Sequence, residues 1–378
     1  MTNGTMQRRD RKDPQHKPAM HRAIRPGGRF ATGIGTITVQ AAMSATYMGR
    51  MAKDDPVLDF LQHDIQEQID GATETSTYRV FKLNGSNDVY MYEDRATGKK
   101  LIGKFFLTAT KNDAAKAVSH LTREVNSLCE MRDSGLTASP HQVVKPLGVK
   151  HSLNELLVTE CFEGRLLSEV ILDAIQSGDH AELYAKLTAL AYFLSEFHKR
   201  TATGLGVDFN QDCDYLDIVI GRLLAISALA ADQAAELYVF RDRWRKQPRM
   251  WQDQQVIVHG DATPENFMFG PGLEVMTFDL ERSKRADRVF DIGRIAGELK
   301  HFFMRASGNK DAAEPFIGHF LWEYACHFPD RDGAFASITG RTPFYMGITL
   351  LRIARNSWVE PGHREQLLSE AKACLRSR

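Results

Sequence analysis

The sequence predicts an α+β fold of two lobes, a small N-terminal lobe built on an antiparallel sheet and a larger, mainly helical C-terminal lobe. β-type segments separated by turn residues dominate residues 77–159, whereas apolar residues recur at helical spacing from Leu166 onward. With 378 residues, of which 43% are hydrophobic and 25% charged, the chain is long enough to bury a core. We expect a leader at residues 1–53, an N-lobe at 54–160 and a C-lobe at 161–378.

The leader is predicted from its composition. Residues 14–53 contain no Asp or Glu and are rich in Gly, Ala, Ser and Thr, with scattered Lys and Arg. Such a segment buries little apolar surface, so we expect it to be disordered or loosely attached. An organelle transit peptide and a membrane-surface tail share this composition, and Met43, Met48 or Met51 could instead be the true start of the chain.

The N-lobe is predicted to open with a short amphipathic helix at Asp54 to Asp70 and to continue as a sheet. A polar turn, Asn84 to Asp88, joins the first two strands. A helix is expected at Asp113 to Arg132, between the third and fourth strands. The predicted strands are Thr77–Leu83, Val89–Glu93, Lys100–Phe106, Val143–Val149 and Leu156–Thr159.

Two charged residues of the N-lobe fall on faces where charge is unexpected. Alternation along the third strand puts Lys104 on the same face as Ile102. Glu124 lies three residues after Leu121, on the apolar side of the helix that follows. Order and spacing favour an ion pair between Lys104 and Glu124 over two unrelated surface charges.

The C-lobe is predicted from helical periodicity. His198 is expected to be a residue at a helix end rather than a ligand. Asp208, Asp212, Asp214 and Asp217 are expected to lie in a solvated loop, although such a cluster could also attract a cationic molecule. The predicted helices are Leu183–Lys199, Ile292–Phe303, Pro315–Phe328 and Phe344–Ala354.

The stretch from Val256 to Asp291 carries the clearest chemical signal. An apolar run delivers Asp261 into a polar turn, Asn266 follows five residues later, and a second apolar run presents Asp279 at its end. Asp and Asn also cap ordinary turns, but the three side chains framed by two β-type runs favour a functional site. Carboxylate, amide and carboxylate in this order suit the orientation of a hydroxyl beside magnesium-bound phosphates. Asp261 would accept the hydroxyl proton, and Asn266 and Asp279 would offer oxygen ligands to Mg²⁺.

The segments HGDATPENFMF and TFDLERSKRADRVFD resemble the catalytic and metal-binding segments of the aminoglycoside phosphotransferase family, which belongs to the protein-kinase-like superfamily and phosphorylates small molecules. The resemblance covers Thr77 to about Asp291 in order. Asp287 and Asp291 stand at the family's intervals from Asp279. The resemblance implies that Asp291 braces the catalytic turn from the following helix and that Asp287 is structural.

The resemblance also implies a two-lobed protein-kinase-like fold and roles for residues in the N-lobe. Lys104, held by Glu124, would bind the α- and β-phosphates of ATP or GTP. The hinge between the lobes begins at Glu160, and backbone groups of Glu160 and Phe162 would bind the base of the nucleotide. The turn at Asn84 to Asp88 would lie over the phosphates, although an ordinary hairpin turn explains it equally well.

Two departures from the protein-kinase pattern favour a small-molecule kinase over a protein kinase. Gly260 and Thr263 replace the arginine and lysine of protein kinases, and the metal strand reads Asp279-Leu280-Glu281 instead of Asp-Phe-Gly. The residues before the asparagine are Thr263-Pro264-Glu265, where many members of the resembled family have His-Pro-Gly.

The function we expect is O-phosphotransfer from ATP or GTP, with Mg²⁺, to a small hydroxylated acceptor. Aminoglycosides, sugars, choline and homoserine fit equally well, because the motifs do not identify the acceptor. The alternatives are a pseudokinase-like module that binds nucleotide without turnover, and a protein-modifying kinase.

Composition limits the other partners. Lys plus Arg and Asp plus Glu are equal at 48 each, so net charge gives no reason to expect nucleic acid. Five cysteines without a Cys-x-x-Cys pair indicate reduced thiols and a cytoplasmic protein. No apolar run approaches the roughly 20 residues of a membrane span, so no stable membrane insertion is expected. The sequence does not indicate an oligomeric state.

Overall fold

The computed structural model describes residues 1, 45–68, 76–83 and 88–377. Residues from Gln40 to Arg378 belong to one compact unit, which contains all the elements below. Residues 2–44 of the predicted leader and most of the predicted turn that begins at Asn84 lie outside the described residues.

The described part of the chain contains the following strands and helices, each numbered in chain order. The strands are β1 (Thr46–Arg50), β2 (Tyr78–Leu83), β3 (Asp88–Asp94), β4 (Lys100–Phe105), β5 (Thr137–Ala138), β6 (His141–Val143), β7 (Pro146–Lys150), β8 (Leu156–Glu160), β9 (Arg165–Leu166), β10 (Gln255–Val258), β11 (Phe267–Phe269), β12 (Val275–Thr277) and β13 (Lys284–Asp287). The α-helices are α1 (Pro56–Phe60), α2 (Phe106–Ala109), α3 (Ala114–Asp133), α4 (Leu167–Ser177), α5 (Ala181–Arg200), α6 (Asn210–Ala225), α7 (Ala231–Arg245), α8 (Val289–Ser307), α9 (Glu314–Ala325), α10 (Arg331–Ala354) and α11 (Pro361–Arg376). Shorter helical turns are Leu61–Ile65, Gln66–Gln68, Pro248–Trp251, Pro264–Asn266 and Lys310–Ala313.

The N-lobe is built on an antiparallel sheet, as the sequence predicts. Its six strands lie in the order β1-β2-β3-β4-β8-β7. Leu101 and Phe105 of β4 are buried in an apolar cluster with Tyr78 and Tyr92, on one side of the sheet. Since side chains alternate along a strand, Lys104 points to the other side, where α3 lies. The predicted small-sheet lobe and mainly helical lobe are both confirmed.

The end of the predicted leader is a strand. β1 pairs with β2 so that Tyr47 lies opposite Phe81, with the two ring centroids 5.2 Å apart. For Thr46–Arg50, the expectation of a disordered or loosely attached leader is therefore wrong. Most β1 side chains are exposed, as their composition suggests. The strand is held at the edge of the sheet by backbone hydrogen bonds, which composition cannot predict.

The C-lobe helices surround one large apolar core. The predicted stripe of α5, which includes Leu187, Leu190, Leu194 and Phe197, is fully buried in it. Helix α8 is buried on nearly all sides and contacts α10. The segment from Val256 to Asp291 therefore leads into the helix of the lobe that is most completely buried.

Two small sheets fix the segment from Val256 to Asp291. β10 pairs antiparallel with β13, and β12 lies between β6 and β11 in the order β5-β6-β12-β11-β9. The sequence predicts one strand at Val143–Val149, but the structure has two, because the chain leaves the small sheet at Val143 and joins the N-lobe sheet at Pro146. Between them, the Lys145 N–H donates to the Glu160 side chain at 2.7 Å.

Helix α10 is longer than the sequence predicts. It begins at Arg331 rather than Phe344 and contains Pro343 in its interior. A proline usually limits a helix to the residues that follow it, which is why the prediction starts there. Burial of Ile338 and Arg341 before the proline stabilises the first half of the helix and outweighs that cost.

The cysteines behave as structural thiols. All five are free, as the sequence predicts. Burial raises the pKa of Cys213 to about 11 and the pKa of Cys374 to about 12, so both thiols stay protonated. Among the described residues, no helix is long and apolar enough to cross a membrane.

A buried ion pair connects α10 to β13. Arg341 is fully buried, and its Nη1 lies 2.5 Å from Asp287 Oδ2 and its Nη2 2.5 Å from Asp253 Oδ2. Asp287 also accepts the Val289 N–H at 2.9 Å, at the start of α8. These contacts agree with the structural role that the resemblance implies for Asp287.

We expect Arg341→Met to lower the free energy of unfolding by about 3–5 kcal/mol, because it leaves the buried Asp287 carboxylate without its partner. Urea denaturation measures the change. Arg331→Met on the same helix is the control, since Arg331 forms an ion pair with Asp332 in which both side chains are more than half exposed, and it should change stability by less than about 1 kcal/mol. Equal losses in the two variants would contradict a structural role for the buried pair.

Candidate active site

The turn after β10 is held in place by Asp291. This carboxylate lies in the first turn of α8 and is fully buried. Its Oδ2 accepts the His259 N–H at 2.6 Å, and its Oδ1 accepts the Gly260 N–H at 3.1 Å. Two adjacent backbone donors thus point at one carboxylate, which confirms that Asp291 braces the turn from the following helix and fixes the position of Asp261.

His198 supports the same brace from α5. Its ring is buried, with Nε2 3.2 Å from Asp291 Oδ2 and Nδ1 2.9 Å from the Tyr324 hydroxyl. Burial alone would raise the pKa of Asp291, but hydrogen bonds from His198 and the His259 backbone hold it below its ordinary value. His198 lies in the last turn of α5, as expected, but it is a buried partner of Asp291, which its place in the sequence does not reveal.

Gly260 allows the turn to pass close to the chain that follows Asp279. Its φ of +76° lies in the left-handed region, and a Cβ at this position would stand 2.0 Å from the Arg282 carbonyl oxygen. A side chain is excluded both by the backbone conformation and by the lack of space. The glycine is therefore required where a protein kinase has an arginine.

Asn266 is attached to the turn after β10 and to β12. Its side-chain amide donates to the Asp261 backbone carbonyl at 2.8 Å. Its backbone carbonyl accepts a hydrogen bond from the Thr277 hydroxyl at 2.9 Å. The short helical turn that begins at Pro264 places it, since the ring of the proline presets the first dihedral. The structure thus brings Asn266 and Asp261 together, as the spacing predicts.

Lys104 joins the two lobes. Its Nζ lies 2.6 Å from Glu124 Oε2 on α3 and 2.6 Å from Asp279 Oδ1 in the C-lobe. The predicted ion pair with Glu124 is confirmed, and the contact with Asp279 is an addition. Asp279 has a φ of +64°, a conformation that non-glycine residues rarely adopt and that often marks a functional position.

Negative charge exceeds positive charge around Lys104. Carboxylate oxygens of Glu124, Asp279 and Glu281 all lie within 4.8 Å of one another. Burial raises the pKa of Glu124, the Lys104 ammonium opposes that rise, and Asp279 and Glu281 add to it. Three carboxylates that share one ammonium form a site suited to a hard divalent cation. Sequence reasoning missed Glu281, although its place two residues after Asp279 puts it in the same turn.

Asp261 is surrounded by arginines that sequence reasoning did not assign to the site. Its Oδ1 accepts from Arg294 at 2.9 Å and also from Arg352, and its Oδ2 lies 3.6 Å from Arg282. Burial alone would raise the pKa of Asp261, but Arg352, Arg294 and Arg282 hold it well below its ordinary range. Arg352 comes from α10, 91 residues further along the chain, so no local motif signals it.

Comparison with known protein families matches residues 77–326 to the phosphotransferase enzyme family. The chain belongs to that family. The match begins one residue before β2 and ends just after α9, so it includes Lys104, Asp261 and Asp279. The protein is therefore a phosphotransferase with an alcohol group as acceptor. A search of curated proteins finds no match.

Solved structures of phosphotransferases share the fold. The gentamicin complex of APH(2")-IIa has a TM-score of 0.52 and 12% identity, covering 87% of this chain and 98% of that one. Ethanolamine kinase from Plasmodium vivax has a TM-score of 0.51 and 12% identity, covering 84% and 86%. A mutant of aminoglycoside 2'-phosphotransferase-IIIa bound to GDP has a TM-score of 0.50 and 16% identity, covering 82% and 95%. The kinase-like two-lobed architecture expected for this phosphotransferase is confirmed.

The predicted hinge follows the last strand of the N-lobe sheet. β8 ends at Glu160, and residues without regular structure lead to β9. The Glu160 N–H donates to the Lys145 carbonyl at 3.0 Å, which anchors the entry to the hinge. Phe162 packs against the C-lobe core and lies close to Gly164. Their roles toward the nucleotide base remain predictions.

Asp212, Asp214 and Asp217 are not in the loop that the sequence predicts. That prediction is wrong for these three residues, whereas Asp208 lies outside the helix. All three lie on α6, because burial of Leu216 and Val219 selects a helix. Asp212 is buried and accepts from Lys284 at 3.3 Å and from the Tyr345 hydroxyl at 2.8 Å. Asp217 is paired with Arg241.

We expect Gly260→Ala to be more damaging than Gly98→Ala. Both glycines have positive φ, +76° and +72°, but a Cβ at Gly98 meets nothing within 4 Å. The backbone cost of roughly 1–2 kcal/mol is common to both, and the clash at Gly260 should add about 1–3 kcal/mol. Urea denaturation compares the two. Similar stabilities would show that the turn can move away from the Arg282 carbonyl.

Proposed function

We propose that this phosphotransferase moves the γ-phosphoryl group of ATP or GTP to a hydroxyl of a small molecule, with Asp261 as the catalytic base. One observation carries the proposal: Lys104 of the N-lobe meets Asp279 of the C-lobe at 2.6 Å, next to a catalytic turn braced by Asp291. This arrangement offers a cation for phosphates, oxygen ligands for a metal and a carboxylate for a hydroxyl proton.

In the proposed reaction, the acceptor oxygen forms a bond to the γ-phosphorus, and the bond from that phosphorus to the β–γ bridging oxygen breaks. The hydroxyl proton passes to Asp261 Oδ2, because Oδ1 is already occupied by Arg294 and Arg352. The nucleoside diphosphate leaves. Since the protein does little covalent chemistry in phosphoryl transfer, position and charge supply most of the rate enhancement.

The residues present fit a magnesium ion. Asp279 and Asn266 are the proposed ligands, and Glu281 adds a third oxygen donor beside Asp279. Oxygen donors of this kind match a small hard cation. When bound, Mg²⁺ would neutralise phosphate charge during transfer. Lys104 would bind the α- and β-phosphates, with Glu124 keeping its side chain oriented.

The hinge is the proposed site for the nucleotide base. Backbone groups of Glu160 and Phe162 would form its hydrogen bonds, so the side chains there decide little. ATP and GTP present different hydrogen-bonding edges to the same backbone. The shared fold with a GDP-bound aminoglycoside phosphotransferase supports keeping both nucleotides in the proposal.

A nucleotide-binding module without turnover is the second candidate. The observation that favours it is the lowered pKa of Asp261, because carboxylates that pair with arginines are weaker bases. Incubation of the purified protein with Mg²⁺ and γ-labelled ATP or GTP, with a panel of hydroxylated acceptors, distinguishes the two. Transfer or slow hydrolysis supports the enzyme, whereas nucleotide binding with neither supports the module.

We expect Asp261→Asn to lower kcat roughly 10²–10⁴-fold, since the amide cannot accept the proton, while nucleotide affinity changes little. Steady-state kinetics and titration with nucleotide measure the two effects. Asp214→Asn, an exposed aspartate on α6, is the control and should match the wild type. A large loss of nucleotide affinity in Asp261→Asn would show that Asp261 serves nucleotide binding instead.

For Asp279→Asn we expect a different pattern. Nucleotide binding should lose most of its dependence on Mg²⁺, because the ligand charge that favours the metal is removed. Titration with ADP at several Mg²⁺ concentrations gives the measurement, with the exposed Asp311→Asn as control. Wild-type magnesium dependence in Asp279→Asn would rule out Asp279 as a metal ligand.

A further inference from the structure

Four guanidinium groups gather on the acceptor side of Asp261. Arg294, Arg352 and Arg282 contact the carboxylate itself. Arg355 lies three residues beyond Arg352, at the residue that caps the end of α10, and its pKa is lowered by burial and by the neighbouring arginines. Arginine forms bidentate contacts with carboxylates and phosphates, so such a group is typical of an anion site.

The arginines have donor capacity that the protein does not use. Arg294 is only 2% exposed, yet its Nε has no hydrogen-bond partner. Arg352 Nε and Arg355 Nη1 are also buried without a partner in the described part of the chain. Buried donors without partners are costly, and one that persists at a functional site indicates a ligand that satisfies it.

Four carboxyl groups face these arginines, those of Asp261, Glu265, Glu281 and Glu298, but burial raises the pKa of Glu265 and Glu298, which reduces the negative charge that they carry. Glu298 lies 3.7 Å from Arg352, but burial raises its pKa to about 7 although Arg352 opposes the rise. Glu281 is 3.7 Å from Arg282 and belongs to the acidic cluster around Lys104. Arg355 forms no ion pair with any carboxylate among the described residues, and its one favourable neighbour is the Tyr215 hydroxyl.

Two of the acidic residues after Leu205 are already paired and offer little charge to a cationic acceptor, whereas Asp208 and Asp214 are exposed. Asp212 is buried against Lys284 and Tyr345, and Asp217 is paired with Arg241. The carboxylates near Asp261 are those that face Lys104 or Arg352. A positively charged molecule with its hydroxyl at Asp261 would therefore face guanidinium groups, which repel it.

We propose that the acceptor is a small hydroxylated molecule that also carries an anionic group, a carboxylate or a phosphate, bound by Arg282 and Arg355 while its hydroxyl lies at Asp261. The inference rests on the proposed function, since it assumes that Asp261 receives the hydroxyl proton. Because Arg282 Nε lies 3.6 Å from Asp261 Oδ2, an anion bound by Arg282 would lie next to the carboxylate that receives the hydroxyl proton.

The test uses the full-length enzyme, γ-labelled ATP or GTP and Mg²⁺. A small-molecule cell extract, freed of nucleotides, is separated by ion exchange into anionic, neutral and cationic fractions, and each fraction is incubated with enzyme. We expect the label to enter a product of the anionic fraction, and treatment of that fraction with phosphatase before the assay tells a phosphate from a carboxylate. Label that enters only neutral or cationic molecules overturns the inference but leaves the phosphotransferase proposal intact. Transfer from no fraction overturns the proposed function, and the inference with it.

Two variants test the anion site on the labelled acceptor. Arg355→Gln and Arg282→Gln should each raise the KM for the acceptor roughly 10- to 100-fold, as expected for loss of a hydrogen bond to a charged group, with little change in the KM for nucleotide. Arg282 is 52% exposed, so its variant should fold normally. Arg285→Gln is the matched control on β13, where Arg285 pairs with Glu130. Unchanged acceptor KM in both test variants contradicts the anion site.

Discussion

One ammonium group connects the lobes of this phosphotransferase. Lys104 comes from a strand of the N-lobe sheet, Glu124 from the helix that packs beside it, and Asp279 from the turn after a C-lobe strand, and the three meet at 2.6 Å contacts. The rest of the candidate site depends on this contact, because it joins the N-lobe sheet to the segment that follows the Asp261 turn. A buried triad of this kind is costly unless its charges are matched, and here the negative charge is in excess. That excess is what a magnesium ion would neutralise.

Charge is divided between two sides of the cleft. The side of Lys104 holds the carboxylates Glu124, Asp279 and Glu281, whereas the side of Asp261 holds arginines from α8, α10 and the chain after Asp279. A metal with its phosphates suits the first side, and an anionic acceptor suits the second. The transferred phosphoryl group would pass between them, where neither charge dominates. The close approach of Gly260 to the Arg282 carbonyl and the backbone hydrogen bonds to Asp291 hold the Asp261 turn in place between them.

The sequence predicted what local patterns encode. Alternation in β4 and helical spacing in α3 brought Lys104 and Glu124 together correctly, and the spacing from Asp261 to Asn266 was enough to predict their contact. Local patterns could not predict β1, because its strand conformation comes from backbone pairing with β2. They also could not predict the first half of α10, where burial overrides the effect of Pro343. The arginines around Asp261 come from three separate segments, so only the folded chain shows that they share a site. The acidic residues of α6 were misplaced for the same reason, because their partners Lys284 and Arg241 are distant in sequence.

The most direct test of the account is a crystal structure with Mg²⁺ and a non-hydrolysable ATP analogue. The account predicts a metal ion bound by Asp279 and Asn266, with Lys104 moved from Asp279 to the α- and β-phosphates and still paired with Glu124. It also predicts the γ-phosphate facing Asp261. A nucleotide bound away from Lys104, or a metal that does not touch Asp279, would contradict the central claim that this cleft is built for phosphoryl transfer.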